Sequence, residues 1–589
     1  MTGHAFAMAM AALDVNGPED GRLDWDAIRW RSVEKDVQRL RRRIFAATRA
    51  GDYKRVRSLQ KLMLRSQSNI VVSVRQVTER NAGRVTAGVD GKVALTSRSK
   101  ERLVEHIQYS PDRIRPVKRV FIPKANGKLR PLGIPVIADR AQQARVRNAL
   151  EPEWEARFEP RSYGFRPGRG CHDAIEAIYQ VVKGKDPKRQ WILDADLKAA
   201  FDHIDHRFVL DQIGSFPARG MVRGWLKAGV VEEGHFAPTE EGAPQGGVIS
   251  PLLLNIVLHG METAAGVRYR TRQGGRVETA YDCPVLVRYA DDLTAFCHSR
   301  QQAEQVTQQL AEWLEPRGLA FNEDKTRIVH VSQGCDFLGF NVRRYHNKLP
   351  LIKPSPDAVR RIRTRLRAEM RALRGGNAAS VLKKLTPIVR GWSAYYRTQV
   401  SSEIFSDLDD YMWKLLYKWA KHSHPKKSRW WIIDHYFGRF NKSRNNRWVF
   451  GDLTTGAYLP KFAWTKIIRH TMVIGTASPD DPNLVRYWTD RRRKQPPPPL
   501  NALVLGLLKT QKCRCVLCGD LLLHADKQPQ SPHDWEQWLR TTRMAIRKQH
   551  LATEIGRRND QRLIHASCQR RIIGQGTSTQ LTATPLGSA

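Results

Sequence analysis

Apolar residues in this chain change their spacing several times, and each change marks a different kind of element. After an irregular opening to about Gly21, two segments carry apolar positions at helical spacing. The second starts near Asp52 and sets Val56, Leu59 and Met63 on one face, with Lys54, Arg55, Arg57 and Lys61 around it. From Arg115 to about Tyr345 the texture becomes short apolar runs, Gly/Pro turns and intervening helical stretches, which predicts an α+β domain. Helical spacing returns from Pro356 to about Ile474. Its first helix should open at Pro356 and Asp357 and stop at Gly375-Gly376. Val359, Ile362, Leu366, Met370 and Leu373 recur at steps of 3, 4, 4 and 3, which leaves Arg360, Arg361, Arg363, Arg367 and Arg371 off the buried stripe. The run Arg491-Arg492-Arg493-Lys494, followed by Pro496 to Pro499, reads as an extended linker. A small Cys/His-bearing module follows at about 505–575, and the tail after Gly574 reads as disordered.

Composition adds a partner to this outline. The 589 residues suit three or four domains at roughly 150 residues each, and a 41 % apolar share is enough for ordinary cores. Lys and Arg number 99 against 58 Asp and Glu, a formal net charge of +41. Solvated helix faces usually carry both signs, whereas an excess this large calls for a polyanion, and nucleic acid is the expected one. Eight cysteines are too few for a disulfide scaffold in a chain this long. Cys171, Cys283, Cys297 and Cys335 are scattered and read as buried apolar groups. No apolar run approaches the ~20 residues that span a bilayer, and Ala5 to Leu13 lacks the basic lead-in of a signal peptide. The expectation is a cytoplasmic, nucleic-acid-associated protein without a membrane partner, or an organellar one in a eukaryotic host.

Three constellations carry candidate chemistry. Tyr289-Ala290-Asp291-Asp292 lies between the strand-like runs Val285-Leu286-Val287 and Leu293-Thr294-Ala295-Phe296, so its acids should sit at a hairpin tip. Paired acids at a turn are often only turn formers. In Trp191-Ile192-Leu193-Asp194-Ala195-Asp196-Leu197, alternation sets Asp194 and Asp196 on the face opposite Trp191, Leu193 and Leu197. An acid inside so apolar a strand needs a partner or a task. Were Asp196 and the Asp291 hairpin to meet on one sheet, their oxygens would suit magnesium, and two such ions could serve nucleotidyl transfer. In Gly242-Ala243-Pro244-Gln245-Gly246-Gly247-Val248-Ile249-Ser250-Pro251 the glycines allow close backbone approach. Ser250-Pro251 should cap and open a helix running to about Thr263.

Taken in order, these blocks resemble the reverse transcriptase–maturases encoded inside group II introns, of the bacterial and chloroplast-like branch. The matching stretches are Val120 to Lys124 with Leu129 to Pro135, then Tyr163-Gly164-Phe165-Arg166-Pro167 and Asp196 to Asp202. Pro244 to Gly247, Tyr289 to Asp292, Leu319 to Thr326 and Phe337 to Phe340 continue the series, and Gly391 to Arg397 resembles the maturase thumb. The likeness covers about residues 25–475. It implies an α+β right-hand polymerase: a flexible start (1–24), a helical extension of the fingers (25–115) and the fingers and palm (116–350). An all-helical thumb/maturase domain (351–475), a basic Pro-rich region (476–504), a zinc module (505–575) and a disordered tail (576–589) complete it. It also implies roles. Asp196, Asp291 and Asp292 would bind two magnesium ions, with the Leu197 carbonyl nearby. Lys124 and Arg130 would hold the triphosphate, Phe201 would be the steric gate against a 2′-hydroxyl, Gln245 would line the primer–template groove, and Lys325 would lie near the triphosphate. The implied partners are group II intron RNA, RNA template, DNA primer, target DNA and deoxynucleotides. A splicing-only RNA-binding protein is the alternative, and the intact acid triad argues against it.

Cys515-x-x-Cys518 with the distant Cys568 suits tetrahedral zinc, the fourth ligand being Cys513 or His565. Leu563-Ile564-His565-Ala566-Ser567-Cys568 resembles the HNH endonuclease appended to many such proteins. The family's His-His pair is absent between Cys518 and Cys568, and Gln569 stands where a histidine is usual. The expectation is a zinc-stabilised DNA-binding remnant with little or no nicking activity.

Overall fold

The computed structural model of the chain describes residues 23–109, 114–123, 129–184, 187–271, 277–345, 350–494, 497–519, 521–523, 529–551, 560–566, 568–569 and 583–584. Lys124, residues 1–22 and nearly all of the tail after Gly574 lie outside them. The chain forms two compact units, each discontinuous in sequence: residues up to 166 with 193–328 and 474–489, and residues 167–192 with 329–473 and those from 490 on.

In the first unit, the helix Trp30–Arg49 buries Val37, Leu40, Ile44 and Phe45, and Tyr53–Arg65 buries Val56, Leu59 and Met63, as their spacing predicts. The Asp52 carboxylate caps the second helix by accepting the Arg55 N–H at 3.0 Å. Both pack, together with Gln67–Arg75, on the long helix Ile137–Glu155. Arg41 lies on the buried side and donates to Asp480 Oδ2 at 2.6 Å and to Glu151 Oε2 at 2.8 Å. Burial alone would depress its guanidinium, but the two carboxylates outweigh that effect and hold it above its ordinary value. The pair with Asp480 ties in the segment 474–489 across a sequence separation of 439 residues.

Two sheets organise the rest of this unit. One runs in the order Leu129–Ile134, Val117–Pro123, Val230–Glu232, His235–Ala237. The other runs Arg327–His330, Trp191–Asp196, Asp292–Cys297, Val285–Tyr289. In its antiparallel hairpin Tyr289 faces Asp292, which leaves Ala290 and Asp291 as the turn expected from the sequence. The helix Arg300–Leu314, capped by Ser299, packs on the Asp292–Cys297 strand through Ala303, Val306, Leu310 and Leu314. Ser250 begins its helix but does not cap it. Ile249 occupies the cap, and the Ser250 hydroxyl donates back to the Pro244 carbonyl at 2.9 Å. That helix stops at Val257, because Gly260 turns left-handed (φ 96°) before the short helix Met261–Ala264.

The second unit opens with an antiparallel sheet of Cys335–Phe337, Phe340–Arg344 and Pro350–Pro354. Ser355 caps the helix Pro356–Ala372, which buries Ile362, Leu366 and Met370. The helices Ala378–Tyr396, Ser402–Ser423 and Arg429–Tyr436 follow. Their core is aromatic, with the Trp392 and Tyr396 ring centroids 4.3 Å apart and those of Phe340 and Tyr396 4.9 Å apart. The region is not all-helical, because Phe437–Gly438 pairs with Val449–Phe450. Between them Asn441 and Asn446 accept the N–H groups of Ser443 and Trp448, side-chain turns that compete with helix and fold the chain back. The basic run Arg491–Lys494 is likewise not extended but forms the last turn of the helix Val485–Lys494. There Arg491 donates to buried Asp173 at 3.1 Å, beside His470 at 2.9 Å and the Val473 N–H at 2.8 Å. Burial resists ionisation of Asp173, but these donors hold its carboxyl below the usual range. No helix among the described residues is long and apolar enough to cross a membrane.

The helix Pro532–Ala545 lies between the two halves of the Cys/His module in sequence, yet it packs along Ala378–Tyr396. Glu536, almost wholly buried, pairs with Arg365 at 2.6 Å, and the Gln530 side chain accepts the Cys171 N–H at 2.6 Å. Contact is closest at Gly391, where a Cβ would stand 3.0 Å from both the Glu536 nitrogen and the Pro532 oxygen. Since both of those atoms are backbone, neither can swing away. Gly391→Leu should therefore undock the 532–545 helix and cost about 1–3 kcal/mol, the usual scale of overpacking. Limited proteolysis should show new cleavage between residues 529 and 545, with a smaller effect for Gly391→Ala. Wild-type resistance of the leucine variant would mean that the contact does not hold the helix.

Candidate active site

The acids of the central sheet meet at one end of adjacent strands. Asp196 is the last residue of Trp191–Asp196, and Asp292 opens the neighbouring strand Asp292–Cys297. The Leu197 N–H points to the Asp291 carbonyl at 3.4 Å, and the Asn322 N–H donates to the Asp196 carbonyl at 2.8 Å. The Asp292 carboxyl lies close enough to Asp196 and Asp291 to feel both charges. Burial, and then the charges of Asp291 and Asp196, push Asp292 up to about 7. Asp291 is raised as well, by burial first and Asp196 next, against the opposing charges of Arg130 and Lys325. Three carboxylates thus compete for one space with too little positive charge beside them, which is the donor set and the electrostatic deficit that a hard divalent cation answers.

Other predicted residues fall around this corner. Lys325 donates from Nζ to Asp196 Oδ2, and that hydrogen bond raises its ammonium above the ordinary value. Asp194, on the same strand face as Asp196, is drawn off to Arg327 at 3.0 Å and does not join the cluster. Arg130 donates from Nε to Gln245 Oε1 at 2.8 Å, while the Gln245 carbonyl accepts the Gly133 N–H at 2.7 Å. The Gly242–Ser250 loop is pinned from below, with the Ala243 N–H on the Phe201 carbonyl at 2.6 Å and the Val248 N–H on Gln143 at 2.8 Å. Phe201 is buried in the short helix Ala200–His203, its ring centroid 6.3 Å from that of Phe165. Sequence reasoning passed over Arg288 and Asn255, which lie under the acidic turn. The available signal was a lone arginine inside the apolar strand Val285–Tyr289.

The second cluster is in the C-terminal module. One ligand atom each from Cys515, Cys518, His565 and Cys568 lie within 4.8 Å of one another. His565 Nδ1 stands 3.4 Å from Cys518 Sγ, and its Nε2 lies 3.0 Å from the Leu521 carbonyl. That carbonyl suits an Nε2–H donor and leaves Nδ1 free as a ligand, the usual second contact of a metal-bound histidine. Cys513 stands outside the group, in a left-handed turn (φ 58°) whose carbonyl accepts the Leu522 N–H. Of the two residues that the sequence leaves open for the fourth position, His565 is the one that lies with the three cysteines. Val504, Leu508, Leu522, Ile546, Leu563 and Ile564 pack as a small core with Cys515 and Cys568.

Family models match three stretches of the chain. "N-terminal domain of reverse transcriptase" covers residues 25–107, "Reverse transcriptase (RNA-dependent DNA polymerase)" covers 122–342, and "Group II intron, maturase-specific domain" covers 359–437. Protein YkfC of Escherichia coli is 34 % identical over 322 residues, 49 % of this chain and 84 % of that protein. Group II intron-encoded protein LtrA of Lactococcus lactis is 30 % identical, over 45 % of this chain and 53 % of its own length, so the match spans about half of that relative. Maturase-like protein 1 of Euglena gracilis is 25 % identical over 66 % of this chain and 79 % of its own. With three ordered family matches and a relative 34 % identical over most of its own length, the chain belongs to the group II intron reverse transcriptase–maturase family.

Proposed function

We propose that this protein copies RNA into DNA with a right-hand polymerase fold, binds the intron RNA that encodes it, and assists that RNA's splicing. The carrying observation is the convergence of Asp196, Asp291 and Asp292 at one sheet corner, where burial and mutual repulsion leave Asp292 at about 7. In this reading Asp196, Asp291, Asp292 and the Leu197 carbonyl hold two magnesium ions. Magnesium bound there would activate a primer 3′-hydroxyl and stabilise the departing pyrophosphate. Arg130 and Lys124, the latter outside the described residues, grip the triphosphate through charge-assisted bonds. Lys325, kept protonated by Asp196, supplies charge to the same phosphates and a proton to pyrophosphate. Gln245 faces the primer–template groove, and the Phe201 ring lies under the sugar and excludes a 2′-hydroxyl.

The net charge of +41 supports the RNA-binding half of the reading, since phosphate neutralisation is the general source of such affinity. The C-terminal module fits one zinc ion on Cys515, Cys518, His565 and Cys568, three thiolates and an imidazole in the closed pattern of structural sites. Holding target DNA is its proposed role.

Asp291→Ala should reduce oligo(dT) extension on poly(rA) to background, while affinity for that primer–template and splicing assistance persist. Full extension by the variant would remove the triad from the chemistry. Phe201→Val should raise ribonucleotide incorporation relative to deoxynucleotide; unchanged selectivity would leave Phe201 as a packing residue. Metal analysis should find one zinc per chain, retained in Cys513→Ser and lost in Cys568→Ser. Equal loss in both variants would contradict the ligand set.

A further inference from the structure

The strand Val285–Tyr289 carries an arginine where its neighbours are apolar, and that side chain is 2 % exposed. Arg288 Nη1 donates to Asn255 Oδ1 at 3.0 Å and to the Ala290 carbonyl at 3.1 Å, and Nη2 donates to Ser162 Oγ at 2.6 Å. Asn255 in turn donates from Nδ2 to the Gly164 carbonyl at 2.9 Å. The backbone repeats the connection, with the Tyr163 N–H on the Arg288 carbonyl at 2.9 Å and the Arg288 N–H on the Arg161 carbonyl at 3.0 Å. Gly164 lies so close beneath the acidic turn that a Cβ there would stand 2.2 Å from the Ala290 nitrogen.

Ala290 itself is left-handed at φ 58°, a conformation in which Cβ crowds the following carbonyl oxygen and which a residue with a side chain rarely adopts unaided. Something outside the turn must hold it, and the Arg288 guanidinium grips the carbonyl of that same residue. Burial pulls the guanidinium down to about 10, with Glu159, Glu262 and Asp291 opposing that, so it stays charged at neutral pH. It is therefore a fixed cation under the residue that precedes both turn acids.

The geometry points to Arg288, seated by Asn255 and Ser162, as the positioning residue of the polymerase site, holding Ala290 so that Asp291 and Asp292 face Asp196. This rests on the polymerase reading and adds a consequence: the brace sets how much magnesium the acids need. Loss of an outer contact of this kind typically costs about 10–100-fold in metal affinity or activity.

The test uses the full chain and oligo(dT) extension on poly(rA), titrated with magnesium at saturating dTTP. Wild type, Arg288→Met, Arg288→Lys and Asn255→Ala are compared, alongside melting temperature and affinity for the primer–template. Arg288→Met should lower kcat about 10–100-fold and raise the magnesium needed for half-maximal rate, with the KM for dTTP and primer–template affinity unchanged. Arg288→Lys should recover part of both losses, because an ammonium reaches one of the acceptors, and Asn255→Ala should shift both in the same direction by less. A folded Arg288→Met with the wild-type magnesium requirement overturns the proposal. So does loss of primer–template binding in all three variants, which would make the network a plain core strut. An inactive wild type at every magnesium concentration would instead sink the polymerase reading, and the brace with it.

Discussion

Bringing three carboxylates to one corner of a sheet sets the problem that the first unit is built to solve. Two unit charges about 4 Å apart repel by roughly 4 kcal/mol at the effective dielectric of a protein surface. The fold sustains that repulsion because the strands bearing Asp196 and Asp292 belong to one sheet that is packed on both faces, with Ile192, Leu193, Leu293, Ala295 and Phe296 all fully buried. The hairpin register then fixes the turn at two residues, so the acids cannot relax apart without breaking the ladder. What repulsion remains appears as the raised Asp292. Clustered carboxylate oxygens of this kind are the donor set that hard divalent cations prefer.

Elsewhere the chain closes on itself through buried ion pairs between distant segments, each within its own unit. Arg41 with Asp480 returns the 474–489 segment, Asp173 gathers His470 and Arg491, and Glu536 holds Arg365. Pairs of this kind contribute little net stability, because desolvation offsets the attraction. Removing one partner is costly, however, since it leaves an uncompensated buried charge. Their effect is therefore on specificity: a competing arrangement of these segments would bury an unpaired carboxylate.

This division explains what could be read from the sequence. Local pattern was legible: the stripe of the Pro356–Ala372 helix, the Asp52 cap and the acidic hairpin all follow from spacing and turn chemistry over a few residues. Alternation alone could not separate Asp194 from Asp196, because both sit on one strand face, and it was the family resemblance that singled out Asp196. In the fold, Arg327 and Lys325, brought back more than a hundred residues later, set their different surroundings. Cys513 and His565 were equivalent candidates by spacing, and only the fold separates them, with Cys513 in a left-handed turn outside the cluster that contains His565. The helical form of Arg491–Lys494 was hidden for the same reason, since the partner of Arg491 is Asp173, 318 residues earlier.

The buried arginines also bear on the meaning of the net charge. Arg41, Arg166 and Arg491 are spent inside the protein, which at first sight lowers the charge available to RNA. Each is matched by a carboxylate, however, so internal pairing removes both signs together and leaves the excess of +41 intact. On the Pro356–Ala372 helix Arg360, Arg361, Arg367 and Arg371 face solvent, Arg360 and Arg361 sharing Asp357 between them, so two arginines meet one carboxylate there. Core specificity and the affinity for a polyanion thus draw on the same residue types without competing, because one uses paired charge and the other uses the remainder.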